Sequence, residues 1–244
     1  MTAEARPHLD RRAAYEPQWD QERFIVPLLR SAIEALLEEH AKPLGPGGKA
    51  LDVGCGKQPF RKKLEEYGFD YTGMDAQAGA GVACVAAIDG DLSGERLVSV
   101  PFNFVLCTEV LEHVADWPAA FKNLARLTAP RGKVLLTCPH VYPLHEEPYD
   151  FWRPTPHAIR HHALAAGFRI VAIQRLGDAW DVIGTTIGAS TVSRGEWSWK
   201  ARIAAIIVRR FLRTAFFLLR KGWLQVVPLG SHLYLSNVAV LEKA

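Results

Sequence analysis

The sequence predicts an α/β protein built on a doubly wound, mostly parallel sheet. Three observations predict it. Short apolar runs alternate with stretches of helical periodicity between Lys49 and Gln174, the rhythm of strands joined by crossover helices. The first of those runs ends in Gly54-Cys55-Gly56 and passes almost at once into a helical pattern, at the point where such sheets admit ligands. No internal repeat or low-complexity tract supports a solenoid or a disordered chain instead.

The elements follow in order. The first 18 or so residues are polar and punctuated by proline, the composition of a mobile arm or a lid. From Trp19 to Ala41, Phe24, Leu28, Ile33, Leu36 and Leu37 recur at helical intervals. Pro27 either kinks this helix or marks its true start, and the KPLGPGG cluster at 42–48 stops it. Strands are expected at 49–53, 71–74, 82–87, 102–107 and 133–138, with helices at 59–67 and 117–127 between them. A helix at 155–166, ended by Gly167, and a strand at 168–174 come next. The last strand candidate, HLYLSNVAVL at 232–241, follows after a gap of more than 50 residues.

A hydrophobic share of 49% and seven tryptophans require a real core and exclude a disordered chain. The net charge is +3, but seven Lys and Arg lie between Lys200 and Lys221; without them it would be −4 (3 − 7). The basic character is therefore local, a surface contact and not general nucleic-acid binding. Cys55, Cys84, Cys107 and Cys138 are isolated, so neither a disulfide framework nor a zinc site is suggested. The N-terminal stretch has no apolar core of a cleaved signal peptide, and a reducing cytoplasm is the expected location.

Two glycines at a strand end let a ligand approach the backbone, and a following helix offers free N–H groups to an anion. A second acid, Asp75, closes the second strand 23 residues after Asp52. A carboxylate there can accept from both hydroxyls of a ribose, so loop and acid together indicate an adenosine ligand. A nicotinamide dinucleotide would want a third glycine where Pro59 stands. The plain alternative is an ordinary strand–helix turn.

LDVGCG (Asp52, Gly54, Gly56), GMD (Asp75), IDGDL (Asp89, Asp91) and FVLCTEVLEHV occur in that order. Together they resemble the successive motifs of class I S-adenosylmethionine-dependent methyltransferases, closest in flavour to the type 11 group. That group includes small-molecule, quinone and polysaccharide-pathway enzymes. The resemblance covers roughly 49–173. It implies a Rossmann-like seven-stranded sheet with an antiparallel last strand beside the sixth, for which 232–241 is the candidate. It implies S-adenosyl-L-methionine as cofactor: Gly54, Cys55 and Gly56 against its methionine portion, Asp52 orienting the loop or meeting the amino group, and Asp75 on the ribose. Asp89 or Asp91 would take the adenine amino group, with Gly90 or Leu92 beside it, and Thr108 and Glu109 would line the floor beneath the sulfonium. The segment 76–81 is shorter than usual for the family. Asp91 also reads as a simple helix cap, and His113 as a hydrogen-bonded structural histidine.

An alcohol or phenol acceptor must lose a proton, usually to a histidine or carboxylate. Such groups concentrate at 138–159, which holds His140, His145, Glu146, Glu147, Asp150, Arg153 and His157 among aromatic side chains. Its five prolines prevent regular structure. HEEPYDFWRPTP resembles a segment of type 11 enzymes of surface-polysaccharide pathways, where it forms part of the active-site wall. His145 or His140 is the expected base, with Asp150 orienting or substituting. The plain alternatives are a bracing Asp150–Arg153 salt bridge and His157 as a helix cap. His140, His145, Glu146 and Asp150 match no metal-ligand spacing, and no metal is expected.

The sequence divides into an N-terminal arm and helix (1–48), a core (49–177 and 229–244) and a helical insertion (178–228). Within the insertion, Arg202, Arg209, Arg213 and Arg220 share one helical face beside a wide apolar one. Its charge-free runs are far too short to span a bilayer. Residues 197–227 either lie on an anionic membrane or pack on the protein's own core or a second copy, their arginines solvated. The expected activity is methyl transfer to oxygen of a sugar or other small, lipid-linked or free, metabolite. The alternatives are a nicotinamide oxidoreductase and a non-catalytic cofactor-binding module docked at a membrane. No nucleic-acid partner is expected.

Overall fold

In the computed structural model, which describes residues 14–190, 198–221 and 232–244, seven strands form one sheet. They are β1 (Lys49–Val53), β2 (Asp70–Asp75), β3 (Cys84–Val85), β4 (Phe102–Thr108), β5 (Thr128–Pro139), β6 (Phe168–Leu176) and β7 (Ser236–Lys243). Their order is β3-β2-β1-β4-β5-β7-β6. β7 runs antiparallel to both β5 and β6, while the remaining pairs are parallel.

The central strands read as largely apolar runs because helices cover both faces. Successive side chains go to opposite sides. Val105 and Cys107 join the core beneath α3 (Trp117–Leu127) and α4 (Pro156–Ala165). Phe104 and Leu106 join the one beneath α1 (Glu22–Leu36). The N-terminal helix is thus a layer of the core, and the division at residue 48 separates stretches of sequence, not packed bodies. α1 starts at Glu22, so Pro27 lies inside it. The Glu22 carboxylate takes the N–H groups of Gln18 and Trp19 at 2.7 and 3.0 Å, folding the arm back over the helix start.

Three elements depart from expectation for local reasons. β3 has only two residues, and no helix intervenes between it and β2, as the short 76–81 segment requires. β5 begins five residues early, pairing Thr128 with Phe102 before a turn at Arg131 (φ 61°) and Gly132 restores the register at Lys133. β7 begins four residues late, because Leu235 is spent on Leu176, His140 and Val141.

The switch in strand order falls between β1 and β4. α2 (Arg61–Glu66) is one and a half turns long and starts well after Gly56. The insertion contributes α5 (Ala179–Ala189), opened by a reciprocal Asp178/Asp181 capping box, and α6 (Trp199–Lys221). Residues 191–197 and 222–228 of the insertion, like 1–13 of the arm, lie outside the described residues. On α6 the packing is the reverse of the alternative in which the apolar face covers the protein's own core and the arginines are solvated. Arg209 and Arg213 turn toward the protein and pair with Asp20, while Ile203, Ile207, Phe211 and Leu218 face solvent.

Candidate active site

A cavity of about 370 Å³ opens at the carboxyl ends of β1, β2 and β4. One half is made by the strand ends. Gly54 has φ 67° and Gly56 φ 49°, left-handed values that favour glycine. A Cβ on Gly54 would lie 2.3 Å from Val110 Cγ2, so its missing side chain is used by the β4 turn, a different reason from the close ligand approach the sequence suggested. The Gly56 N–H donates to Asp75 Oδ2 at 3.0 Å, and Gln77 N to Oδ1 at 2.9 Å. Asp75 therefore fixes the loop.

Asp52 is 2% exposed. Burial pushes its carboxyl up to about 7; the 2.8 Å hydrogen bond from Tyr71 Oη opposes the shift and the nearby Asp75 adds to it. Cys55 lines the cavity, as do Asp89, Thr108 and Glu109. Glu109 has φ 53° and is pinned to β5: its N–H donates to Thr137 Oγ1 at 3.0 Å, and its carboxylate accepts from the same hydroxyl at 2.8 Å.

The other half is made of side chains from three separate segments. The first is the arm, which brings Tyr15, Trp19 and Glu22 to the cavity. The Tyr15 hydroxyl meets Thr108, and burial, with Glu109 nearby, pushes its pKa well up. The second is the EVLEH turn after β4, which brings Glu112 and His113. Glu112 is fully buried and its Oε1 has no hydrogen-bond partner; burial, then the charge of Glu109, pushes its pKa well above the usual carboxylate range. His113 sets Nδ1 2.9 Å from the Tyr149 carbonyl and Nε2 3.3 Å from Glu146.

The third is the wall loop after β5, which brings Tyr142, His145, Glu146 and Tyr149. His145 packs edge-on against His113, ring centres 4.8 Å apart. Its Nδ1 lies 3.2 Å from both Asp150 Oδ2 and the Pro143 carbonyl and 3.5 Å from Arg153 Nη2. The two nearer acceptors favour the tautomer with the proton on Nδ1, in which Nε2 is the acceptor nitrogen. Burial lowers the pKa of both histidines. Arg153 braces the loop: it grips Asp150 at 2.6 and 2.7 Å and donates to the carbonyls of Tyr142 and Pro143. Burial pushes the Asp150 carboxyl up, but Arg153 and the His145 N–H outweigh it, and the net shift is downward. Phe151 N and Trp152 N both donate to the Glu112 carbonyl, and Trp152 Nε1 to that of Val114.

Several expected site residues lie elsewhere. His140 stacks on Tyr234 (4.3 Å, 6°) and sets Nδ1 against the Pro154 carbonyl, outside the cavity lining, so it holds the loop to β7. Asp150 has a side chain only 1% exposed and does not line the cavity, so it can orient His145 but not replace it. Asp91 closes a turn on Ser93 N, and Gly90 presents its carbonyl to Asn123; neither lines the cavity, which leaves Asp89. The α4 cap is Thr155, not His157. Tyr15 gives no sequence signal because the polar arm has no periodicity to read; Glu22 gives none because the helical pattern at 19–41 marks only the apolar face. His113 reads as structural in the sequence but lines the cavity. One metal-compatible trio, Glu112, His113 and His145, occurs among the described residues, a set different from the one weighed from the sequence.

A methyltransferase-domain family model matches residues 22–173. The ubiquinone biosynthesis O-methyltransferase of Idiomarina loihiensis is 31% identical over 132 residues, 49% of this chain and 54% of the relative. That of Bordetella avium is 31% identical over 133 residues, with the same shares. The chain thus spans about half the length of these curated relatives. Among solved structures, a SAM-dependent methyltransferase from Archaeoglobus fulgidus superposes with a TM-score of 0.52 at 15% identity, over 88% of this chain and 94% of that one. The magnesium protoporphyrin IX methyltransferase of Synechocystis PCC 6803, with bound SAM, gives 0.52 at 13% identity over 94% and 86%. At such identities the likeness shows the fold. Since the family model runs from α1 into β6, more than half of its length, the chain belongs to the class I S-adenosylmethionine-dependent methyltransferases.

Proposed function

We propose that the protein transfers a methyl group to a hydroxyl oxygen of a small polar acceptor, a sugar or similar hydroxylated metabolite, with His145 as general base. The observation that carries this reading is the chain Arg153–Asp150–His145 ending in the cavity. The residues at the strand ends suit the cofactor. Asp75 would hold the ribose, and Ala86, Ala87 and Ile88 with Asp89 the adenine. Asp52, buried with another carboxylate as its neighbour, would receive a cationic amino group as its missing counter-charge. When bound, the cofactor would supply an activated methyl group on its sulfonium.

The chain's own work is then to position the acceptor and take its proton. Asp150 and the Pro143 carbonyl hold the Nδ1 proton of His145, so that Nε2 accepts the proton of the acceptor hydroxyl. The low pKa of His145 keeps that nitrogen unprotonated at neutral pH. Tyr15, Glu22, Tyr142 and Tyr149 give this half of the cavity a polar lining suited to a polyhydroxylated acceptor. The name of the curated relatives, O-methyltransferase, points the same way. The experiment is a labelled-methyl transfer screen over matched alcohol, phenol and amine acceptors, each product located by mass spectrometry. Label on oxygen, lost in His145→Gln, supports the reading; label on nitrogen or carbon overturns it.

A further inference from the structure

The two sides of α6 differ in what they carry. Toward the protein it sets Phe216, buried and edge-on to Phe24 at 5.7 Å, and the pair Arg209 and Arg213 that holds Asp20. Toward solvent it sets Ile203, Ile207, Phe211 and Leu218, one stripe at helical spacing, with Ile206 and Phe217 at its edge. The exposure of the helix's outward apolar residues runs from 40% at Leu212 to 70% at Phe211. Exposed Lys200, Arg202 and Arg210 stand around the stripe, and Trp199 at its start is 68% exposed. From Glu196 to Glu242 the sequence contains no acidic residue between.

We propose that α6 is an in-plane anchor that docks this protein on the surface of an anionic lipid bilayer. The apolar stripe would enter the headgroup–acyl boundary while the cations meet lipid phosphates. The long Lys and Arg side chains can extend past apolar neighbours to reach them. A second copy of the chain suits this face poorly. A two-fold contact brings the same patch together from both partners, and this helix would oppose cations to cations with no carboxylate of its own to pair them. Crossing the membrane is not the mode: among the described residues no helix is long and apolar enough.

The anchor also has a bearing on the cavity. Asp20, gripped by Arg209 and Arg213, sits between Trp19 and Gln21, which line the cavity together with Gln18. In α5, Gly188 backs directly onto the Asp20–Gln21 backbone, where a Cβ would come within 2.8 Å. The docked helix would hold the arm, and with it one wall of the cavity, at the lipid surface. The proposal does not depend on which acceptor atom is methylated.

The test is co-sedimentation of the full chain with vesicles of phosphatidylcholine alone and with phosphatidylglycerol added. Sedimentation velocity without lipid runs in parallel, and both are repeated for the Ile207→Asp/Phe211→Asp double variant. Both substituted side chains are solvent-exposed, and an unchanged circular dichroism spectrum and Tm verify that the variant folds. The wild type is expected to partition at least about tenfold more strongly to the anionic vesicles, less so in high salt, and the variant to stay in solution. Equal or absent partitioning of the wild type overturns the proposal, as does a variant that still binds. So does a lipid-free dimer that the double substitution dissolves.

Discussion

The two halves of the cavity are built by different means. The strand-end half comes from β1, β2 and β4, where backbone, two glycines and two buried carboxylates do the shaping within residues 52–109. The other half is assembled from Tyr15 and Glu22, from Glu112 and His113, and from His145 and its neighbours, segments more than 120 residues apart at the extremes. The first half follows from what a parallel sheet must do at its switch point. The second depends on how an arm, a turn and a loop happen to meet, and can change without disturbing the sheet.

The sharpest way to separate the halves is His145→Gln. Loss of the base is expected to lower kcat by about 10²–10⁴ while S-adenosylhomocysteine binds as in the wild type, measured by turnover and calorimetry. In the wild type the acid limb of kcat should fall below the ordinary histidine pKa of about 6.5, since burial holds the ring neutral; activity drops only as pH falls through that lowered value. Next, Arg153→Ala leaves Asp150 charged and buried without its partner and should cost about 3 kcal/mol of stability in denaturant titrations. An unchanged midpoint would mean that the loop is not braced as described.

On the cofactor side, Asp75→Ala removes charged acceptors worth about 1.5–3 kcal/mol and should weaken S-adenosylhomocysteine by roughly tenfold to a hundredfold, with little effect on the wall loop. The smallest effect is a pH dependence. If binding an ammonium group requires ionised Asp52, whose folded pKa lies near 7, the proton must leave first below that pH. Affinity should then rise about tenfold between pH 6 and pH 8. Asp52→Asn should flatten the curve; a curve that keeps its slope would assign it to another group.

The fold was legible because each element carries its own local signal. Alternating apolar runs marked the strands, and Pro59, Gly167 and the 42–48 cluster marked boundaries. Gly54, Gly56, Asp52 and Asp75 all line the cavity at the strand ends, and Pro59 in place of a third glycine agrees with the methyltransferase family and not with a dinucleotide enzyme. What failed to show was whatever depends on tertiary pairing. Nothing in CPHVYPLHEEPYD says that His140 stacks on Tyr234 while His145 reaches the cavity. Nor does the spacing of the four arginines say that two of them will turn inward to an aspartate some 190 residues earlier, sending the apolar stripe outward.

The wall loop has a framed part and a spare part. At its base, Phe151, Trp152 and Arg153 spend their donors on carbonyls of the EVLEH turn and of the loop itself, so the base and the turn must fold as one piece. Between Pro143 and Asp150 the chain is a tip, with Leu144 71% exposed and two glutamates beside the histidine. Such a tip can be rewritten at Leu144 and Glu147 without touching the joints that hold it, Glu146 being tied to His113. A lineage, or an engineer, could exchange acceptors by editing those few letters and inherit the rest of the catalyst unaltered.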